Sequence, residues 1–439
     1  MNSKLNIKRT ILVGFAFFLI SAFWQSYDKI IPLILTYRFN MRQEQSGFIM
    51  SLDNIFAVFM LPIFGAISDK TRTRFGRRTP FVFIGTVLAV VFYITLAFAP
   101  SLAFFIVILL FTLISMAIFR SPAVALMPDV TEKPLRSKGN AIINLMGTAG
   151  GISVLIIGSF IKVGKAYENN YPAYIALVCV IMIAALVIFL LTVKENDWAK
   201  EAEARNRVLE EEEAKTLADK ADTAEPKRKL SKQEIVSLCL ILASVALWFT
   251  GYNAVTSKFS VYVEETFTLA DGTQKVSYDL ALTIAQVAAI ITYIPVGLLA
   301  SRIGRKKSIL AGIVMLSAAF GFASLIDIST PVIPMYLLFA LAGVGWATIN
   351  VNSFPMVVEL ATGSDVGKYT GYYYTASMSA QIITPILSGY LVQNISWNVF
   401  FPYAAIFAAL SFVTMLFVKH GDAKPEKKAS LLENLDTDD

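Results

Sequence analysis

The stretch Gly65-Ala66-Ile67-Ser68-Asp69-Lys70-Thr71-Arg72-Thr73-Arg74-Phe75-Gly76-Arg77-Arg78 is a basic loop with a single acid, set between two long apolar runs. A shorter copy, Gly297-Leu298-Leu299-Ala300-Ser301-Arg302-Ile303-Gly304-Arg305-Lys306-Lys307, appears in the second half of the chain, with Gly76 and Gly304 separated by 228 positions. Downstream of each copy a proline precedes an acid: Pro128 before Asp129, and Pro355 before Glu359, with the prolines 227 positions apart. Two landmarks at nearly one offset argue for duplicated halves. Their shared interface is then the place to look for a site.

Moving outward from the loop, the apolar residues fall in repeated runs of about 20 or more, the length that crosses roughly 30 Å of hydrocarbon. Over 439 residues, 56% are hydrophobic and 16% charged, and the mean hydropathy is +0.62. A water-soluble fold could not cover that much apolar side chain, since an average soluble domain is about a quarter charged. The runs predict twelve helices at 10–36, 46–68, 79–99, 102–126, 139–161, 172–193, 235–257, 279–301, 307–327, 332–356, 367–392 and 397–418. The expected architecture is therefore an all-α integral membrane protein, twelve transmembrane helices in two six-helix pseudo-symmetric bundles. The first run offers no clean small-residue cleavage site and reads as a span, not a secretory signal.

The domains follow as bundles over 1–193 and 235–420, a charged linker over 194–234 and a tail over 421–439. The linker, with its run Glu210 to Glu213, reads as a part-helical soluble tether. Lys and Arg cluster in the loops after the second, fourth and eighth spans, on the side of both termini and the linker. By the positive-inside rule that side is cytoplasmic and the protein lies in the cell membrane. The net charge of +6 is thus a topology signal, and no nucleic-acid partner is expected. The loop from Lys258 to Asp279, with Glu264, Glu265 and Asp271, reads as external. Cys179 and Cys239 lie in spans, where thiols pack and do not build a disulfide framework. His420, the lone histidine, ends the last span, so neither a histidine relay nor a metal site is expected.

The first loop resembles the signature loop of the major facilitator superfamily. In the form Ser68-Asp69-Lys70-Thr71-Arg72-Thr73-Arg74-Phe75-Gly76-Arg77-Arg78-Thr79-Pro80 it is similar to that of the glycoside-pentoside-hexuronide:cation symporters and the sucrose/proton symporters. Ser121-Pro122-Ala123-Val124-Ala125-Leu126-Met127-Pro128-Asp129 resembles the proline-flanked fourth helix of the same group. The resemblance implies the major facilitator fold, transport of a small molecule, a sugar or glycoside, and a cytoplasmic gate built on Gly65, Asp69, Arg74, Gly76, Arg77 and Arg78. Its second copy has Gly297, Arg302, Gly304 and Arg305, with Ser301 where the acid is expected. The loop's own chemistry agrees: glycines admit close helix ends, and Asp69 can form charge-assisted bonds with the arginines.

Asp28, Asp53 and Arg120 stand inside spans, where a charge facing lipid costs several kcal/mol and normally faces a cavity or a partner. Asp28 and Asp53 are each placed roughly 10 to 12 Å below the outer end of their helices, at about 1.5 Å per residue. Two carboxyls at one depth on adjacent helices suit ion coupling, since a shared cavity favours a bound proton. Arg120, about 19 residues beyond Ser101, lies too deep to pair simply with either at that rise. The sodium-coupled melibiose-type symporters carry an acid two residues before the fourth-helix proline and another before the second-helix proline. Here those positions are Arg120 and Leu61, so a proton gradient is expected and sodium disfavoured. The planar fork of Arg120 can replace that cation, hold a hydroxyl or bind an acidic sugar.

Aromatic faces stack on sugar C–H surfaces while amides bond hydroxyls. Trp24, Gln25 and Asp28 share one helical face, as do Trp248 and Tyr252 with Asn253 beside them. Asn144, Gln286, Asn350 and Gln381 complete the candidates. The leading expectation is a proton-coupled sugar or glycoside symporter working by alternating access. An exporter of amphipathic compounds uses the same fold, and a non-transporting membrane sensor is the third class; carboxylates within spans favour the first two. No phosphate-binding Gly-Lys-Ser/Thr loop, catalytic nucleophile or cofactor motif stands out, so neither an ATP-driven pump nor an enzyme is expected.

Overall fold

The computed structural model describes residues 4–218, 231–360 and 366–422, with the backbone alone for 212–218, 301 and 366. Among them are thirteen α-helices: α1 (Ile7–Leu33, continued by a π-turn over Ile34–Arg38), α2 (Gln43–Lys70), α3 (Thr79–Ala97), α4 (Leu102–Asp129), α5 (Arg136–Phe160), α6 (Tyr171–Thr192), α7 (Glu195–Ala218), α8 (Lys232–Thr266), α9 (Tyr278–Ile303), α10 (Arg305–Ala323), α11 (Ile333–Val358), α12 (Val366–Asn394) and α13 (Phe400–Leu416). Eleven are long and apolar enough to cross a membrane; α7 and α12 differ.

α7 is the charged helix of the linker. The 29 residues of α12 are long enough to span, at about 1.5 Å per residue, but carry a polar stripe. Tyr369, Tyr373, Ser377, Ala380, Thr384 and Ser388 recur at three- and four-residue spacing and are all buried, so the polar side chains turn toward protein and lower the hydropathy without facing lipid. That stripe also separates the three consecutive tyrosines: Tyr373 is buried and bonds Ser353 at 3.0 Å, while Tyr372 is exposed.

The two halves repeat one packing scheme. In the first, α1 packs on α5 and α6, α3 on α4 and α6, and α2 on α4; in the second, α8 packs on α12 and α13, α10 on α11 and α13, and α9 on α11. Each half holds its own apolar cluster, one centred on Phe23, Tyr93 and Phe105, the other on Phe259, Phe320 and Phe401. Because lipid removes the hydrophobic drive between helices, close backbone approach carries much of the association. A Cβ on Gly150 of α5, for example, would stand 2.3 Å from the carbonyl oxygen of Phe18 on α1. The halves meet through α2 with α12, α5 with α9, and α1 with α8.

The described ends of the chain and α7 lie on one face, termed the terminal face; the opposite one is the distal face. The distal ends of the halves are bound to each other. Gln43 N donates to Gln393 Oε1 at 2.8 Å, Tyr37 to Glu265 at 2.7 Å, and Lys29 to Asp279 at 2.6 Å. This corrects the loop expected between Lys258 and Asp279. α8 runs on to Thr266, and Lys258, Glu264 and Asp279 are buried, 1%, 7% and 6% exposed. Their charges read as solvent-seeking in sequence, yet each finds a partner across the fold: Lys258 donates to the Gln43 carbonyl, Glu264 accepts from Lys165 N, and Asp279 holds Lys29.

The linker is also more than a tether over its first part. Glu195 accepts from Arg77 N (2.7 Å), Arg78 N (2.8 Å), Thr79 N (2.7 Å) and Thr79 Oγ1 (2.7 Å), which caps the N-terminus of α3. Trp198 is buried, and Arg205 binds Glu132 at 2.6 Å. The charged run hides an amphipathic face, and hydropathy alone cannot find its docking partner.

Candidate functional site

Between the halves lies a cavity of about 520 Å³, lined by α1, α4 and α5 from the first and by α8, α9, α10 and α11 from the second. The three-and-four spacing on α1 does bring Trp24, Gln25 and Asp28 to one wall, and Arg120, Asn144, Tyr252, Asn253 and Gln286 line the rest. Lys29 is bound to Asp279, which leaves its neighbour Asp28 facing the cavity.

Four candidates are elsewhere. Trp248 is fully buried in the apolar cluster of the second half; one turn from Tyr252 along α8, it is spent on packing. Asn350 is buried within α11, and Gln381 is half-buried on α12, a helix that contributes no residue to the lining. Asp53 is half-buried on α2 beside the cavity, not in its wall, where Asn54 Nδ2 donates to it at 2.8 Å. Arg120 of α4 lines the cavity. Its guanidinium lies over the ring of Trp24, 5.6 Å from the centroid.

Two features of the wall were not foreseen. Trp346 of α11 stacks on Tyr252, with ring centroids 3.7 Å apart and planes within 7°, and forms a flat aromatic platform that spans α8 and α11. The sequence signal was a lone tryptophan among small residues, Ala342-Gly343-Val344-Gly345-Trp346-Ala347. The second is a polar chain between the halves: Gln286 Nε2 donates to Gln25 Oε1 at 2.6 Å, and Gln25 Nε2 to the Tyr278 hydroxyl at 3.4 Å. Trp24 Nε1, Asn253 Nδ2 and Gln286 Oε1 are buried with no hydrogen-bond partner among the described residues. A buried polar atom without a partner costs about 1–3 kcal/mol. An occupant with hydroxyl or amide groups would relieve that.

The signature loop closes on the terminal face of the first half. Arg78 binds Asp69 and Ser68, and its Nε binds Asp129 at 2.8 Å; Arg77 Nη2 binds Asp129 at 2.6 Å. Gly76 has φ +123°, and a Cβ there would stand 2.2 Å from Glu195, so glycine is required where α7 begins. Gly65 meets Ser121 of α4. Arg74 points outward, over Phe75 at 4.6 Å. In the second copy Gly304 has φ +93° between α9 and α10, and Arg305 pairs with Glu359 at the end of α11. Asp129 and Glu359 are thus matching anchors. Gly297 lies in α9, Arg302 is exposed at its end, and the side chain of Ser301 lies outside the described residues.

Comparison with known proteins agrees with this geometry. A family model described as Major Facilitator Superfamily matches residues 13–278 and 269–435. Among solved structures, a variant of the peptide transporter POT superposes with a TM-score of 0.69 at 16% identity, over 94% of this chain and 93% of that one. The inward-open xylose transporter XylE from E. coli gives 0.68 at 15%, over 98% and 99%. A variant of the nucleoside transporter NupG gives 0.68 at 15%, over 93% and 100%. A curated relative, the chloramphenicol resistance protein CraA of Acinetobacter baumannii, is 29% identical over 118 residues, which span 27% of this chain and 28% of that protein. The chain belongs to the Major Facilitator Superfamily and is a multi-pass membrane transporter of that type.

Proposed function

We propose that this transporter carries a sugar or glycoside together with a proton, by alternating access of its two halves, and that its terminal face is cytoplasmic. The observation that carries the reading is the cavity wall. A stacked aromatic platform, Tyr252 on Trp346, shares one chamber with amides Gln25, Asn144, Asn253 and Gln286, the combination that a ring with hydroxyl groups requires. Asp28 in the wall and Asp53 behind it supply carboxyls for the proton. Arg120 and Leu61 occupy positions where the related sodium-coupled symporters carry acids, which supports a proton in place of sodium.

Export of amphipathic compounds is the second reading, favoured by the 118-residue likeness to the chloramphenicol resistance protein. Reconstituted protein separates the two when given a labelled panel of mono- and disaccharides, uronic acids included, under an imposed proton or sodium gradient. The expected result is accumulation driven by the proton gradient and lost in Asp28→Asn and Asp53→Asn. No saccharide uptake under either gradient, with proton-driven efflux of chloramphenicol instead, would turn the assignment to export.

A further inference from the structure

The distal closure contains a buried ion pair that the substrate chemistry leaves unexplained. Lys29 of α1 donates to both carboxylate oxygens of Asp279 on α9, at 2.8 and 2.6 Å, and only 5% and 8% of the two side chains is exposed. The ammonium stands 4.8 Å from the ring centre of Tyr174 and 5.8 Å from that of Tyr278. A Cβ on Gly158 of α5 would lie 2.2 Å from Asp279 Oδ1 and 2.8 Å from Lys29 Nζ. Four helices, α1, α5, α6 and α9, therefore shape one socket for the pair. A packing contact needs none of this.

The pair is also wired to the cavity. Asp279 follows Tyr278, whose hydroxyl accepts from Gln25, and Gln25 in turn accepts from Gln286. The amides that face the chamber are the same groups that join α1 to α9, one step along α9 from the ion pair. Whatever occupies the chamber and competes for those amides pulls on the contact between the halves.

We propose that Lys29 and Asp279 form the latch of the distal gate and position Gln25 and Gln286 toward the substrate, so that opening the pair admits the distal medium to the cavity. This rests on the alternating-access part of the proposed function and is independent of which substrate is carried. The physical reason for two states is the cost of separation. Two charges in a dry socket cannot drift apart by degrees, because each would be left uncompensated in low dielectric. They part only as water enters, and the halves then part with them.

The test reads access directly. In a background with Cys179→Ala and Cys239→Ala, a reporter Leu282→Cys in the cavity wall is labelled by a membrane-impermeant maleimide in vesicles of each orientation. The latch predicts slow labelling from the distal face in the parent and an increase of at least tenfold in Asp279→Asn or Lys29→Met. The charge exchange Lys29→Asp with Asp279→Lys returns labelling toward the parent rate. Should a single variant fail to insert, the doubly apolar Lys29→Met, Asp279→Leu form leaves no orphan charge and still predicts fast labelling. Parent-like labelling in the inserted single variants or in the apolar pair would overturn the latch. Because no substrate is needed, that outcome is separable from a negative result in the saccharide panel.

Discussion

At the scale of single residues, the sharpest lesson is how side chains share labour inside one spacing pattern. Trp24, Gln25 and Asp28 sit on one face of α1 and all reach the cavity, as helical periodicity predicts. Trp248 and Tyr252 obey the same rule and part company, since Trp248 is buried in the apolar cluster of the second half while Tyr252 lines the cavity. Periodicity gives a face, but which face meets the other half depends on a partner distant in sequence. Trp346 was hidden for that reason, although its ring is stacked on Tyr252. Aromatic pairs contribute about 0.5–1.5 kcal/mol beyond area burial. If the platform receives a substrate ring, Trp346→Leu should raise KM for transport roughly 2- to 10-fold, at about 1.4 kcal/mol per decade, with little change in maximal rate. Initial-rate uptake over a range of substrate concentrations measures this, and an unchanged KM would remove the platform from the site.

At the scale of elements, the linker helix changes the meaning of the signature loop. The glycine at position 76, with φ +123°, makes room for Glu195, and the carboxylate of Glu195 gathers three backbone N–H groups at the start of α3. The loop that orients Arg77 and Arg78 on Asp129 is thus fastened by the first residue of α7. Further along, the carboxylate of Glu201 is held below its ordinary pKa by a hydrogen bond from Arg9, and that of Glu210 by one from Lys133. Depressed carboxylates contribute to docking above the ordinary glutamate range, and the contribution is lost as pH falls through the lowered values. Both pairs are exposed and screened by salt, so the buried anchor should dominate. Glu195→Ala should therefore expose α7 to trypsin at Lys200, Arg205 and Arg207 at neutral pH and ordinary salt, at least several-fold faster than the parent. Cleavage at the parent rate would mean that Trp198 and the exposed pairs hold the helix without it. The sequence showed the charge of this segment and nothing of its docking, because a helix with mixed charge looks alike whether tethered or seated.

At the scale of the whole molecule, the duplicated landmarks carried the fold. Gly76 and Gly304, with Pro128 and Pro355, mark halves that repeat the same helix packing, and the anchors Asp129 and Glu359 occupy matching ends of α4 and α11. What the duplication could not show is the distal closure, where Lys258, Glu264 and Asp279 left the expected loop for the protein interior. A charge counts against a span in any hydropathy sum, whether or not a partner waits across the interface. The same count makes orientation the remaining whole-molecule question. The basic loops after α2, α4 and α9 lie on the terminal face with α7, and positive charge near span ends resists translocation. In the cysteine-free background, Phe75→Cys in the signature loop and Ala270→Cys between α8 and α9 are both exposed positions on opposite faces. An impermeant maleimide added to intact cells should label Ala270→Cys alone, and Phe75→Cys only after permeabilisation. The reverse pattern would place the distal closure on the cytoplasmic side, and the latch at Lys29 and Asp279 would then guard the exit of an importer instead of its entrance.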